Sequence, residues 1–191
     1  MSSSLKEAIS LCHDNDIYLP TRTIFLTGEV SDSMHDTALK NLHALDNMST
    51  NKTINIYINS EGGSLDACMA IYDAIRGCKN FVRGVVNGQA SSSASLILQA
   101  CDTRLITPSS YMLIHLGTES YPEDHPLNIK RQIEKSDRDE KWAVDVYLRQ
   151  IKKKHPRYTK TKLDKLLQFD SILNSKEALE LGLVDEIKEI F

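Results

Sequence analysis

The sequence from residue 84 to residue 98 reads GVVNGQASSSASLIL. A short β-type run ends at a glycine, a cluster of small residues follows, and an apolar helical segment then begins. Small residues at such a junction let the backbone turn sharply and leave a side chain exposed at the start of the helix. A hydroxyl group there faces unpaired backbone N–H groups and the positive end of the helix dipole, which suits a serine nucleophile. The alternative is an ordinary tight packing point, which short patterns of this kind also indicate.

A second strand-to-helix junction lies upstream. Residues 54–58 alternate in a β-type pattern, residues 59–64 form a predicted turn, and residues 65–77 carry apolar side chains at helical spacing. The pair Gly62-Gly63 would let backbone amides approach a ligand closely, as in an oxyanion site. The spacing alone favours an ordinary tight turn over that functional interpretation.

A third feature is an apolar strand that places His115 at its end, just before a loop. One further β-type segment separates His115 from Ser92, which is compatible with neighbouring elements of one sheet. The other five histidines occupy polar or loop-like contexts, so His115 is the best candidate for a general base. A structural or solvent-facing histidine is the alternative.

Four short motifs stand in the order and approximate spacing of a known family: NSEGG at 59–63, GQASS at 88–92, MLIH at 112–115 and LGLVD at 181–185. Together they resemble the ClpP-type serine peptidases, the proteolytic subunits of the Clp protease. The resemblance extends from about Asp16 to about Ile187. An ordered set of four motifs is far more specific than any one of them.

The resemblance implies a nucleophile and a general base. Ser92 matches the nucleophile of the family, whereas the residues alone leave Ser91, Ser93 and Ser95 as competitors. His115 matches the general base.

The resemblance also implies the rest of the site. Asp170 matches the acid of the triad, and the backbone N–H groups of Gly63 and Ser93 match the oxyanion donors. On the residues alone, Asp170 is a loop aspartate just ahead of a helix. The capping-box pattern of Asn174 and Glu177 predicts that this helix begins there.

The alternation of strand-like and helix-like segments predicts an α/β domain with a largely parallel sheet. Strands are predicted near 23–27, 54–58, 81–86, 103–107 and 111–115, and helices near 34–48, 64–77, 91–101, 126–154, 161–168 and 175–181. The family fold that the resemblance implies is a crotonase-like spiral of ββα units with a protruding handle helix. Residues 1–191 are interpreted as one peptidase domain, with an N-terminal segment at 1–20 and a loop and handle region at about 118–156.

The long charged helix from Leu127 to Lys154 has an apolar stripe formed by Ile129, Ile133, Trp142, Val146 and Ile151. A solvated helix with one buried face accounts for this pattern. The resemblance instead implies contacts between two stacked rings, to which the single tryptophan is suited.

The composition excludes several classes of function. A chain of 191 residues fits one domain with a sizeable core, and a net charge of −3 gives no reason to propose a nucleic-acid partner. No apolar run is long enough to span a membrane, and residues 1–20 show no secretory leader. The four cysteines form no C-x-x-C pair, which favours a cytoplasmic or other reducing compartment, and Cys68 and Cys101 are predicted to lie in the core. Neither metal-ligand spacing nor a phosphate-binding motif is visible, so we expect no cofactor, and any ATP would be used by another chain.

Three regions depart from the family pattern. Glu61 stands where the family has proline, which puts a carboxylate near the presumed oxyanion glycines. A capping-box pattern at 4–7 predicts a short N-terminal helix, which puts the identity of an unfoldase partner in doubt. The acidic, proline-bearing segment 116–126 predicts altered cleft specificity or ring coupling.

The leading hypothesis is a self-compartmentalising serine endopeptidase subunit that cleaves unfolded proteins or peptides. The resemblance implies heptameric rings stacked as a tetradecamer and substrates fed by a separate AAA+ unfoldase. A non-catalytic or regulatory subunit of a mixed ring is one alternative. A crotonase-fold acyl-CoA enzyme is another, although such enzymes do not need a Ser-His-Asp set.

Overall fold

The computed structural model describes residues 10, 12–48, 51–117 and 125–189. Strands and helices alternate along this part of the chain. The strands are β1 (Ile17–Tyr18), β2 (Thr23–Val30), β3 (Ile54–Gly63), β4 (Val82–Ser91), β5 (Thr103–Ile106), β6 (Tyr111–Ile114), β7 (Ser171–Asn174) and β8 (Glu186–Ile187). The helices are α1 (Asp32–Met48), α2 (Leu65–Arg76), α3 (Ser93–Leu98), α4 (Pro126–Lys154), α5 (Lys160–Leu167) and α6 (Ser175–Leu181), and a 3-10 turn at Leu19–Thr21 precedes β2.

The strands form one mixed sheet in which β4 is the branching strand. Its main path runs β1-β2-β3-β4-β5-β8, and β6 leaves that path to pair with both β4 and β7. Residues 83–86 of β4 pair with β5, whereas residues 89–91 pair with β6. All pairings are parallel except β1 with β2 and β6 with β7. The C-terminal part of β4 and the short β6 therefore lie side by side and end at the same edge.

The core lies between this sheet and the helices. Alternate residues of β3, Ile54, Ile56 and Ile58, are each at most 1% exposed, as expected for a strand covered on that face. Every residue of the short helix α3 is buried. The core prediction for Cys68 and Cys101 is confirmed, since both thiols are free and buried.

The predicted α/β class is confirmed, and the architecture is consistent with the fold that the resemblance implies. Two boundaries were wrong. Residues 59–63 continue β3, because Gly62 and Gly63 still pair with Glu29 and Val30 after a bulge shifts the register. The helix predicted at 91–101 spans only Ser93–Leu98, since β4 runs on to Ser91.

The handle helix α4 has the predicted bounds, but its stripe divides into two parts. Val146 and Ile151 are buried in the core, whereas Ile133 is 42% exposed. Trp142 forms an edge-to-face contact with Tyr72 of α2, with ring centroids 5.2 Å apart. The first half of α4 is therefore largely exposed, and Trp142 is anchored within its own chain.

Two predictions lie outside the described residues. They are the helix begun by the capping box at 4–7 and most of the acidic loop, residues 118–124. Among the residues that the structure does describe, no helix is long and apolar enough to cross a membrane.

The LGLVD motif is joined to the strand β5 through the buried Arg104. Arg104 is 5% exposed, and its guanidinium pairs with the carboxylate of Asp185 through two nitrogens. The same guanidinium donates to Gln99 Oε1 at 2.8 Å and to the carbonyl oxygen of Gly182 at 3.2 Å. Burial alone would raise the pKa of Asp185, but the hydrogen bonds and charge of Arg104 hold it below its ordinary value of 3.8.

Because the pKa of Asp185 is lowered in the folded state, the Asp185–Arg104 ion pair stabilises the fold until acid protonates the carboxylate. We expect Asp185→Asn to lower the free energy of unfolding by roughly 2–3 kcal/mol at neutral pH, because it leaves Arg104 buried without its ion partner. The loss is smaller than the roughly 3–5 kcal/mol for a fully buried pair, because the Asp185 side chain is 40% exposed and partly screened by solvent. The contribution is complete above pH 3.8 and is lost as the pH falls through the lower pKa of the folded state. Urea unfolding of both proteins between about pH 7 and pH 3 measures this difference. If the difference in free energy of unfolding between the two proteins stayed constant over that range, the ionised Asp185 carboxylate would not be the stabilising group.

Candidate active site

Ser92 lies in the turn between β4 and α3 with an unusual backbone. Its φ of 52° and ψ of −125° fall in a region that costs a non-glycine residue about 1–3 kcal/mol. The Ser92 N–H donates to the carbonyl of Leu113 at 2.8 Å, which ties the turn to β6. The carbonyl of Ser92 accepts the N–H of Ser95 at 3.0 Å. Hydrogen bonds on both sides therefore hold the strained conformation.

His115 and Asp170 are brought together by the antiparallel pairing of β6 with β7. Ile114 and Ser171 are register partners in this antiparallel pair. His115 directly follows the first of them and Asp170 directly precedes the second, so the two side chains leave the same end of the pair. The predicted capping box of Asn174 and Glu177 begins α6 and fixes the far end of β7.

The three side chains form one chain of hydrogen bonds. His115 Nε2 lies 2.8 Å from Ser92 Oγ, and His115 Nδ1 lies 2.8 Å from Asp170 Oδ1. A carboxylate can only accept, so Nδ1 donates to Asp170 and Nε2 is left to accept the hydroxyl proton of Ser92. The His115 side chain is 26% exposed and that of Asp170 is 68% exposed. The arrangement is able to draw a proton from Ser92 during nucleophilic attack.

The neighbouring serines are oriented differently. Ser91 Oγ donates to Gln89 Oε1 at 3.0 Å, and Ser95 Oγ donates to the carbonyl of Ser92 at 2.7 Å. Ser93 Oγ is buried and has no hydrogen-bond partner among the described residues. Of these four serines, Ser92 is the one that bonds to His115 in the described part of the chain.

The two predicted oxyanion residues, Gly63 and Ser93, line the same cleft as Ser92 and His115. The cleft has a volume of about 640 Å³. Its remaining lining comes from α2, α3, α4 and the segment after β6, and consists of Leu65, Leu96, Leu116, Gly117, Ser136, Glu140 and Ala143. Glu61 is exposed and is absent from this lining, so the expected carboxylate beside the glycines does not face the cleft.

The sequence did not single out Gly62 as a contact of Ser92. A Cβ on Gly62 would lie 2.8 Å from Ser92 Cβ and 2.6 Å from the carbonyl oxygen of Ser91. Its φ of +94° is also unfavourable for any residue with a side chain. The pair Gly62-Gly63 is the available signal, but its spacing alone favours a tight turn over an oxyanion site and does not predict packing against Ser92.

Gly62→Ala is therefore expected to lower the rate at which Ser92 reacts with a fluorophosphonate by about 100-fold or more, because the new methyl group displaces the turn that carries Ser92. Gly28→Ala is the matched control. Gly28 has a similar φ of +79°, but a Cβ there would have no neighbour within 4 Å. Rates are compared at a temperature at which circular dichroism shows both variants folded. Equal losses of this rate in the two variants would mean that backbone strain, and not contact with Ser92, is responsible.

The described residues contain no group of His, Cys, Asp or Glu side chains that could hold a metal ion. The expectation that this chain needs no cofactor stays a prediction.

Comparison with known proteins identifies the family. Residues 11–190 match the family model described as Clp protease. The chain belongs to the Clp protease family. This family member is 32% identical over 170 residues to the ATP-dependent Clp protease proteolytic subunit 1 of Bifidobacterium longum (strain NCC 2705). The alignment covers 88% of this chain and 71% of the relative.

Clp protease membership confirms the resemblance drawn from the four motifs. It supports a serine endopeptidase subunit and does not favour the acyl-CoA enzyme or the regulatory subunit as alternatives.

Proposed function

We propose that this chain is a serine endopeptidase subunit in which Ser92, His115 and Asp170 form the catalytic triad. The observation that carries the proposal is the unbroken hydrogen-bond chain from Ser92 Oγ through the imidazole to Asp170. Family membership supports the same reaction class.

Each residue has a distinct role in this mechanism. Ser92 Oγ attacks the carbonyl carbon of the scissile peptide bond while His115 Nε2 takes the hydroxyl proton. His115 then gives that proton to the leaving amine, which breaks the C–N bond and leaves an acyl-enzyme. Water attacks the acyl-enzyme with His115 again as the base. Asp170 keeps the imidazole in the required tautomer and stabilises the imidazolium ion.

We assign the oxyanion donors to the backbone N–H groups of Gly63 and Ser93. Two observations support this assignment: both residues line the cleft beside Ser92, and Ser93 directly follows the nucleophile. A donor aimed at the oxyanion contributes about 3–4 kcal/mol to lowering the barrier in enzymes of this kind.

The substrates of this proposed peptidase are unfolded proteins or peptides. The leucines and the alanine that line the cleft suit apolar side chains. A separate AAA+ unfoldase would use the ATP, as the description of the Bifidobacterium relative as an ATP-dependent protease suggests. The four free cysteines support a cytoplasmic or other reducing compartment.

We further propose that residues 1–191 form one peptidase domain that assembles into heptameric rings, stacked in pairs as a tetradecamer through the handle helix. The first half of α4 carries the apolar side chains Leu127 and Ile133, which are 61% and 42% exposed. Large apolar side chains that face solvent suit a protein interface.

Changing Leu127 and Ile133 together to serine is expected to reduce the particle from two rings to one, because the apolar contact between handles is lost. Sedimentation velocity measures the mass. Lys130→Ser, an exposed change on the same helical segment, is the control and should leave the mass unchanged. A double variant with the wild-type mass would show that the handle does not join the rings.

The proposed reaction is tested by intact mass after treatment with a fluorophosphonate, which phosphonylates activated serines. One adduct on the wild type, absent from Ser92→Ala, is the expected result. Absence of an adduct on the wild-type protein would overturn the proposed activity of the isolated chain. An adduct that persists in Ser92→Ala would place the nucleophile elsewhere.

A further inference from the structure

The carbonyl group of Ser92 is the start of a second hydrogen-bond chain, which leads away from the cleft. Its oxygen accepts from Ser95 Oγ at 2.7 Å, in addition to the N–H of Ser95 at 3.0 Å. Ser95 Oγ in turn lies 2.5 Å from the hydroxyl oxygen of Tyr147. Ser95 is 0% exposed and Tyr147 is 1% exposed, so water does not compete for these groups.

The direction of the two bonds follows from the number of protons available. A serine hydroxyl has one proton, and a carbonyl oxygen can only accept, so Ser95 donates its proton to Ser92. The Tyr147 hydroxyl must then donate to Ser95. Burial raises the pKa of Tyr147 above its ordinary value of 10.0, which outweighs the opposite effect of the Ser95 bond and keeps the phenol a donor.

This hydrogen-bond chain connects two parts of the domain that lie far apart in the sequence. Tyr147 belongs to the buried half of the handle helix α4, whereas Ser92 opens α3. Ser92 has a strained backbone, and strain of this kind persists only where the surroundings impose it. The bond to Leu113 fixes the N–H side of Ser92, and the bonds from Ser95 fix its carbonyl side.

We propose that Tyr147 is a positioning residue that acts through Ser95 to hold the carbonyl of Ser92, and so orients the nucleophile from the handle helix. The inference rests on the proposed role of Ser92. Tyr147 touches neither substrate nor His115 in this scheme. Its hydroxyl limits the rotation of the Ser92 backbone that would carry Oγ away from the imidazole.

The test compares Tyr147→Phe with the wild type and with Tyr72→Phe. Tyr147→Phe removes one hydroxyl and keeps the buried ring. Tyr72 is a matched control, because it is also a helix tyrosine, is 7% exposed and packs against the handle through Trp142. The Tyr72 hydroxyl has no hydrogen bond to the described residues.

For Tyr147→Phe we expect kcat for a fluorogenic peptide, and the rate of fluorophosphonate labelling, to fall about 10-fold, with KM changed less than about twofold. Tyr72→Phe should match the wild type.

Two further measurements separate positioning from a general loss of stability. The first is a double-mutant cycle: Ser95→Ala with Tyr147→Phe should lose no more activity than Ser95→Ala alone, because both act on one carbonyl. The second is amide hydrogen exchange, which does not depend on activity. Exchange at Ser95 should accelerate in Tyr147→Phe while Ile56 of the central strand is unchanged.

The outcomes are distinct. Unchanged kcat and labelling in Tyr147→Phe, multiplicative losses in the double variant, or equal acceleration of exchange throughout the sheet would each overturn the proposal. A wild-type chain that never reacts with the fluorophosphonate would instead overturn the proposed function. The positioning role would then be decided by exchange: faster exchange confined to Ser92 and Ser95 would support it, and unchanged exchange there would refute it.

Discussion

Replacing Ser92 with alanine is expected to lower kcat for peptide hydrolysis by about 10⁴- to 10⁶-fold. The reason is that no covalent acyl-enzyme can form and His115 has no hydroxyl to deprotonate. The loss should leave the fold intact, because the Ser92 hydroxyl bonds only to His115 at the mouth of the cleft in the described structure. Steady-state kinetics on a fluorogenic peptide, with the particle mass checked in parallel, measure the effect.

Ser91→Ala is the control for this experiment. Ser91 is the adjacent serine, but its hydroxyl donates to Gln89 and makes no bond to His115 in the described structure. We expect its kcat to stay within about threefold of the wild type, as for a substitution that leaves the triad in place. If Ser91→Ala were inactive and Ser92→Ala active, the nucleophile would have been assigned to the wrong serine.

The second large effect is expected for Asp170→Asn, which should lower kcat by about 10³- to 10⁴-fold. An asparagine can donate its amide N–H to His115 Nδ1. Nδ1 must then be the unprotonated nitrogen, so the neutral imidazole carries its proton on Nε2. A protonated Nε2 cannot accept the hydroxyl proton of Ser92, although the side chains keep their places. KM should change little, because the cleft lining is untouched. Kinetics on the same peptide test this split.

Asp164→Asn separates this effect from a general loss of negative charge. Asp164 is a partly exposed aspartate of α5 that pairs with Lys160 four residues earlier, and such surface pairs contribute little to stability. The kcat of the Asp164→Asn variant should equal that of the wild type. Equal kcat in Asp170→Asn and Asp164→Asn would remove Asp170 from the triad.

Much of the fold could be predicted because its signals are local. The alternating isoleucines of β3 and the apolar spacing of α2 are properties of single segments, and the structure has both elements. The ends of β3 and β4 were missed because glycine and serine residues that normally end a strand here continue it through bulges. The strand β7 was missed because four residues with alternating exposure carry too weak a pattern.

The candidate site depends on contacts that a single segment does not encode. The serine cluster and His115 follow strand-like runs, so the sequence could propose them on chemical grounds, whereas the choice of Ser92 within the cluster came from the family resemblance. Asp170 came only from the family resemblance, because its proximity to His115 depends on the pairing of β6 with the unrecognised β7. Tyr147 is not part of the predicted apolar stripe of the handle, and the partner of its hydroxyl lies on another helix.

The branching of the sheet at β4 has a thermodynamic consequence. Ser92 belongs to the main body of the sheet, whereas His115 and Asp170 extend from a two-stranded flap that joins it over three register pairs, residues 89–91 of β4 with 111–113 of β6. The pairing itself is short, but Met112 and Ile114 of β6 are fully buried in the main core, so the two-stranded part cannot separate without exposing that core. We therefore expect heating to disperse Ser92, His115 and Asp170 in the same cooperative transition that unfolds the sheet.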